Sequence, residues 1–376
     1  MYGLQIQKKA VLLQRFFCKQ GRMKILVILT GGTITMVRNE ATGALHPADT
    51  DTFRAFVPEL FTSPIQIDML PFEPLIDSSD VCIELWAKIA RTIEANYEKY
   101  DGFVVLHGTD TMAYTASALS FMLRNLNKPV IFTGSQLPIG VLRSDAKENL
   151  MTAVEIASEK DEQGRCRAPE VCIYFGSALL RANRTTKKNA EHFSAFESSN
   201  YPSLAKAGVH IFYRTPLIHY EPSDAKLQVV TDCDDRVVVL RLFPSIRQDV
   251  VHAILSTPSL RGMVLETYGS GNAPSAEWLY NELVAATSRG VIVVNKTQCS
   301  TGSVEMGRYD ASINLMKAGV LSGYDITTEA LLTKMMVLFG EYGKDTGKVK
   351  EMMQESLAGE MSVDLVKQRN RNKKIW

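Results

Sequence analysis

The sequence predicts an α/β protein built from two three-layer αβα domains, a larger N-terminal one and a smaller C-terminal one. Apolar runs of strand length alternate with amphipathic helical stretches along most of the chain, the mark of βαβ units and a mostly parallel sheet. The alternation fades once, from Ser194 to Asp235, where Pro202, Pro216 and Pro222 stand among polar clusters, and then restarts. A length of 376 residues with 45% hydrophobic content also supports two cores better than one.

In the larger domain, residues 23–212, strands are expected at Lys24–Leu29, Gly102–His107, Pro129–Thr133 and Val171–Phe175. Helices are expected at Val81–Tyr97, Met112–Asn125 and Lys147–Ser158. Within the first of these, Ile83, Trp86, Ile89, Ala90, Ile93 and Tyr97 share one helical face, which assigns them to the core. Residues 213–235 read as a linker with a short hairpin. The smaller domain, residues 236–376, is expected to be Rossmann-like, with strands at Arg236–Phe243, Gly262–Thr267 and Gly290–Lys296. Its helices fall at Gln248–Leu255, Pro274–Thr287, Thr328–Gly340 and Thr346–Leu357. The basic end, Gln368 to Trp376, reads as a disordered tail.

Residues 1–22 carry Val11-Leu12-Leu13 and Phe16-Phe17 interrupted by Gln14 and Arg15, too short a run for an export signal. They are expected to be a disordered extension or an upstream-start artefact. The net charge of +1, with both signs interspersed, leaves no footprint for nucleic acid. No apolar stretch approaches membrane-spanning length. The six cysteines (Cys18, Cys82, Cys166, Cys172, Cys233, Cys299) form no C-x-x-C pair and have no His at zinc spacing. No metal or cofactor is therefore expected, and the thiols read as reduced in a cytoplasmic protein.

The larger domain is the one expected to carry an active site. Thr30-Gly31-Gly32-Thr33-Ile34 follows one strand, and His107-Gly108-Thr109-Asp110-Thr111 follows another, so each strand end delivers a hydroxyl on a glycine-softened loop. A threonine hydroxyl is a weak nucleophile and needs a base. No G-x-S-x-G elbow occurs and no histidine sits in a triad context. His107 reads as a strand-end residue bonding backbone, and Thr111 as a helix cap. Asp110 has two further uses: holding a substrate ammonium, or orienting a lysine that deprotonates Thr109. Arg184-Thr185-Thr186-Lys187 offers that lysine, since a buried Lys shifts its pKa downward and becomes a base. Asp77-Ser78-Ser79-Asp80 precedes a helix, where capping explains it, yet the same groups suit a ligand carboxylate. Together these residues suit a small zwitterion.

With those residues in place, the chain resembles the bacterial-type L-asparaginases, and most closely their cytosolic type I branch. The resemblance runs from about Met23 to beyond Leu357. Its carriers are T-G-G-T-I at 30–34, D-S-S-D at 77–80, H-G-T-D-T-M-A-Y-T-A-S-A-L-S-F-M-L at 107–123, T-G-S-Q at 133–136 and L-R-S-D at 142–145. N-R-T-T-K at 183–187, Y-G-x-G-N-A-P at 268–274 and N-x-T-Q-C at 295–299 complete the set.

The resemblance implies an amidohydrolase that converts L-asparagine, and by extension L-glutamine, through a threonine acyl-enzyme. Thr33 would be the nucleophile, with Thr109, Lys187 and Asp110 as its relay. Asp77, Ser78, Ser79 and Asp110 would grip the α-carboxylate and α-amino group, and backbone N–H groups near Thr33 and Thr109 would form the oxyanion hole. It also implies a homodimer or homotetramer with the active site near a subunit interface, to which Asn272 would contribute. Two departures stand out. Some relatives carry a lid tyrosine about ten residues after the nucleophile, whereas Thr42 to Pro47 contains none, although Gly43 still suits a lid. Regulated relatives have an Arg where this chain has Glu266, so Glu266 and Cys299 would mark a vestigial allosteric site. Two other readings stand beside this one. One is the asparaginase-like subunit of a tRNA-dependent amidotransferase, which usually carries an N-terminal domain that 22 residues cannot supply. The other is a non-catalytic amino-acid-binding module, which needs no nucleophile.

Overall fold

The computed structural model describes residues 22–38, 45–47, 50–307 and 310–363. The expectations for residues 1–21, for Gly43 and for the tail from Gln368 lie outside these residues.

Two main sheets organise the described residues. Strands β1 (Lys24–Gly31), β2 (Gln66–Ile76), β3 (Gly102–Leu106), β4 (Val130–Thr133) and β5 (Val171–Phe175) are parallel, in the order 2-1-3-4-5. Strands β6 (Ala178–Arg181), β7 (Ala205–Ala207) and β8 (Ile211–Tyr213) extend that sheet beyond β5 in antiparallel register. The inner strands bury both faces, as parallel strands do. In β1, Ile25, Val27 and Leu29 point into one core and Leu26 and Ile28 into the other. The helix α1 (Ile83–Asn96) and the helix α2 (Met112–Met122) cover one face, and α3 (Ala146–Ser158) covers the other. The predicted face of α1 is buried at Trp86, Ile89, Ala90 and Ile93.

Order 2-1-3-4-5 has its switch point between β1 and β3, because their loops depart toward opposite faces of the sheet. In open α/β sheets ligands settle in the crevice this creates, at the carboxyl ends of the strands. The two threonine-bearing loops leave the sheet there.

Several expected elements differ. The helix from Met112 ends at Met122 rather than Asn125, because Leu123–Arg124 turns into a short strand pairing with Gln228–Val229. That pairing stands where a hairpin within 213–235 was expected; the hairpin itself, β7–β8, comes earlier. The turn between β5 and β6 uses positive φ at Gly176 and Ser177, the geometry a tight hairpin favours.

The second sheet holds β9 (Val237–Arg241), β10 (Gly262–Thr267), β11 (Ile292–Thr297) and β12 (Leu321–Ser322), parallel and in sequential order. Right-handed crossovers in a sequential sheet place their helices on one face. That face carries α4 (Gln248–Leu255) and α5 (Glu277–Ser288), packed on Met263, Leu265 and Val293. The other face, with Val264, Ile292 and Val294, is covered by α6 (Thr328–Tyr342) and α7 (Thr346–Met353). Helix α6 in turn lies against α2. Both helices are buried all round, at Ala113, Ala116, Leu119 and Met122 in α2 and at Leu331, Met335, Leu338 and Phe339 in α6. Each such large apolar side chain contributes about 1.5–3 kcal/mol on leaving water, so this seam joins the domains firmly.

Candidate active site

Three loops meet at the switch point, and glycines make the meeting possible. Gly31 and Gly32 have φ of 133° and 83°. A Cβ on Gly31 would overlap the Ile76 carbonyl at the end of β2, and one on Gly32 would overlap the Gly108 Cα after β3. A Cβ on Gly108 would fall 2.5 Å from Ser78 Oγ. Thr33 and Thr109 therefore each follow a glycine of the same junction. Thr33 opens a short 3-10 turn, Thr33–Thr35, with its side chain partly exposed. Below it, Thr30 donates to Leu106 O at 2.9 Å, tying the end of β1 to β3.

Lys187 reaches the second loop. Its Nζ donates to Thr109 Oγ1 at 2.8 Å and to Asp110 Oδ1 at 2.6 Å. The Lys187 side chain is 16% exposed and that of Asp110 is 66% exposed, so the carboxylate stays open to a ligand while the amine is enclosed. The usual reading of a lysine as a surface charge fails here.

The D-S-S-D segment forms a 3-10 turn of its own, Ser78–Asp80, and does not cap α1, whose N-cap is Cys82. Asp77 Oδ1 accepts from Ser79 N at 2.9 Å and Ser79 Oγ at 2.8 Å. These bonds, the backbone one foremost, hold the Asp77 carboxyl below its usual range. Ser78 is buried and Ser79 is exposed. Thr111 occupies the N-cap of α2 but its hydroxyl does not cap; it donates instead to Ser78 O at 2.6 Å, binding the D-S-S-D turn to the G-T-D-T loop. His107 is buried and bonds backbone as expected, through Nδ1 to Gly108 O at 2.7 Å. Burial lowers its pKa to about 4, which keeps it neutral.

Among the described residues, those carried from the C-terminal strings make no hydrogen bond to Thr33, Thr109 or Lys187. The hydrogen bonds of Asn272 run to Tyr268 in a tight turn. Its Oδ1 is buried without a partner among those residues. Glu266 is buried, accepting from Thr328 Oγ1 at 2.6 Å and pairing with Arg241 at 3.4 Å. Its neighbour across the strands is Lys296, whose amine is pushed down by burial against the pull of Glu266 and Glu329. Cys299 is exposed, its N–H bonded to Thr297 Oγ1 at 3.0 Å.

Sequence reasoning gave no role to Gln136, although it lies in the T-G-S-Q string. Its Oε1 is 3.4 Å from Thr109 Oγ1, and its Nε2 donates to Ala190 O and His192 O at 3.1 Å. Asp145, in L-R-S-D, fixes that loop by accepting from Gln136 N at 3.1 Å and Leu137 N at 3.2 Å. A strand-end polar residue beside an aspartate nine positions on was the available signal.

Known proteins align with this arrangement along nearly the whole chain. Residues 24–219 match the family model for the asparaginase N-terminal domain, and residues 236–353 the glutaminase/asparaginase C-terminal domain. L-asparaginase 1 of Escherichia coli K12 is 43% identical over 346 residues, covering 91% of this chain and 99% of that protein. A glutamyl-tRNA(Gln) amidotransferase component from Pyrococcus abyssi is 33% identical, covering 92% of this chain and 78% of that one. The crystal structure of L-asparaginase I from Vibrio cholerae superposes with a TM-score of 0.82 at 43% identity, covering 91% of this chain and 99% of that structure. With both domains matched and the strand-end loops joined as described, the chain belongs to the asparaginase family.

Proposed function

We propose that this chain hydrolyses L-asparagine to L-aspartate and ammonia. Thr33 Oγ1 attacks the side-chain carboxamide carbon, its proton passes through Thr109 to Lys187, and the proton is returned to the departing ammonia. Water then cleaves the Thr33 ester to release aspartate. Asp110 binds the α-ammonium and orients Lys187, and Ser78 and Ser79 receive the α-carboxylate, held by Asp77. Backbone N–H groups beside Thr33 and Thr109 take up the oxyanion, a contribution of about 3 kcal/mol per donor. The carrying observation is the Lys187 amine, 2.8 Å from Thr109 Oγ1 and 2.6 Å from Asp110 Oδ1. A general base must stand within hydrogen-bond reach of the hydroxyl it serves, and this one does.

The active unit in this reading is a homodimer or homotetramer, with Asn272 offered to a neighbouring copy's site. Among the described residues Asn272 makes no hydrogen bond to Thr33, Thr109 or Lys187 of its own chain, which leaves it free for a role outside that site. A cytoplasmic location fits the free Cys82, Cys166, Cys172, Cys233 and Cys299 and the lack of a long apolar helix among the described residues. Similarity to an amidotransferase component favours a second reading, in which the ammonia is handed to a partner protein.

Ammonia release from L-asparagine and L-glutamine by the purified chain alone, with its oligomer sized in parallel, tests these assignments. Thr33→Ala, Thr109→Val and Lys187→Met are each expected to lose turnover while remaining folded. Thr33→Ala retaining more than about a hundredth of wild-type turnover would refute the covalent step. Release that requires an added partner would favour the second reading.

A further inference from the structure

We infer that Glu329, on helix α6 of the C-terminal domain, is a positioning residue for Lys187 and acts through Thr186. The inference rests on the proposed role of Lys187 as the base.

Lys187 sits on a strand of two residues, Thr186–Lys187, which among the described residues pairs only with Phe196–Glu197 and is no part of the central sheet. Two residue pairs cannot by themselves hold an amine to hydrogen-bonding tolerance, so the segment needs other anchors. They come from the C-terminal domain. Asn183 Nδ2 donates to Ala358 O at 2.9 Å, and Arg184 donates to Gly359 O at 2.7 Å, Asp325 Oδ2 at 2.9 Å and Ser362 Oγ at 3.1 Å. Nearest to the base, Thr186 Oγ1 donates to Glu329 Oε1.

Successive side chains of a strand point to opposite sides. Thr186 is therefore tethered behind the strand while Lys187 reaches forward to Thr109, and fixing the first limits the swing of the second. Glu329 is itself well held. It lies in the first turn of α6, after the Thr327 cap, where a helix N-terminus favours a carboxylate, and it is 8% exposed. Helix α6 also packs along α2, which begins at Met112, directly after the Thr109 loop. One helix thus braces both members of the Lys187–Thr109 pair.

Steady-state kinetics on the full-length chain test this. Thr186→Val, which keeps shape and removes the donor, is expected to lower kcat about ten- to a hundredfold with KM for L-asparagine within about twofold, the signature of a misplaced reacting group. Thr186→Ser is expected to restore kcat. Glu329→Gln, which keeps an acceptor oxygen, is expected to stay within about threefold of wild type, and Glu329→Leu to reproduce the loss. The Glu329 pair decides should Thr186→Val not fold. Wild-type kcat in Thr186→Val or Glu329→Leu overturns the inference, as does an equal loss in the conservative and disruptive member of each pair. Lys187→Met separates the two levels. An inactive Lys187→Met beside a fully active Thr186→Val defeats this inference alone, whereas an active Lys187→Met defeats the reading of Lys187 itself.

Discussion

Gly32 packs directly on Gly108, and neither has room for a Cβ. The strand-end loops of β1 and β3 can close on each other only while both stay bare, and Gly32 adds a φ of 83° that an L side chain rarely adopts. Gly32→Ala is expected to cost about 1–3 kcal/mol of stability by overpacking, and to suppress turnover far beyond that by parting Thr33 from Thr109. Thermal unfolding and ammonia release measured on the same preparation check this. A Gly32→Ala protein with wild-type kcat would show that the loops need not touch.

His107 predicts a pH dependence of stability. Folded, it titrates near 4 because burial disfavours the cation, whereas its ordinary value is 6.5. Between those values the unfolded chain binds a proton that the folded chain refuses. Stability is therefore present above about 6.5 and is lost as pH falls toward 4, on the order of 3 kcal/mol from this group. The difference in Tm between wild type and His107→Gln should shrink over that window. A difference that stays constant from pH 7 to 4 counts against it.

Lys334 and Glu360 form an ion pair with both side chains 0% exposed, and Glu360 also accepts from the N–H groups of Leu357 and Ala358. Lys334→Met leaves a buried carboxylate without its cation and is expected to cost about 3–5 kcal/mol. Lys334→Met combined with Glu360→Gln should recover much of that loss. Denaturant midpoints of the two variants, read at constant m, provide the comparison.

Substrate dependence is expected to be hyperbolic. An effector carboxylate brought to Glu266 would meet a like charge, already engaged by Thr328 and Arg241, and Lys296 is committed to Thr297 O at 2.7 Å. Coupling between sites is worth about 1–3 kcal/mol, which such repulsion cancels. Initial rates over a wide asparagine range provide the check, and a Hill coefficient clearly above one that disappears on substitution near Cys299 would overturn it.

What could be read from the sequence followed from burial. Gly102–Leu106 and Val171–Phe175 are apolar on both faces because their strands are central, so their runs are unbroken. Strand β2 escaped notice because it lies at the edge, mixes polar residues throughout and contains Pro71 and Pro74, which an edge tolerates. The hydroxyl and amine of the active site were legible because strand-end position is encoded locally. Glu329 and Lys296 were not, since a charge inside a helical or strand pattern reads as solvated until the partner that buries it, distant in sequence, is known. Thr111 and Asp77 show the same limit at short range. Composition identifies them as cap formers, and only the fold reveals that one bonds a neighbouring loop and the other its own turn.

The seam between α2 and α6 bears on whether the two domains can be parted. Each helix is buried on most of its surface because each is covered by its own sheet on one side and by the other domain's helix on the opposite side. A fragment ending in the linker would carry α2 with one flank bare, and a fragment beginning there would carry α6 in the same condition. Large bare apolar flanks invite aggregation. Separating the halves would bare both flanks at once, so each domain is expected to stay soluble only in the company of the other.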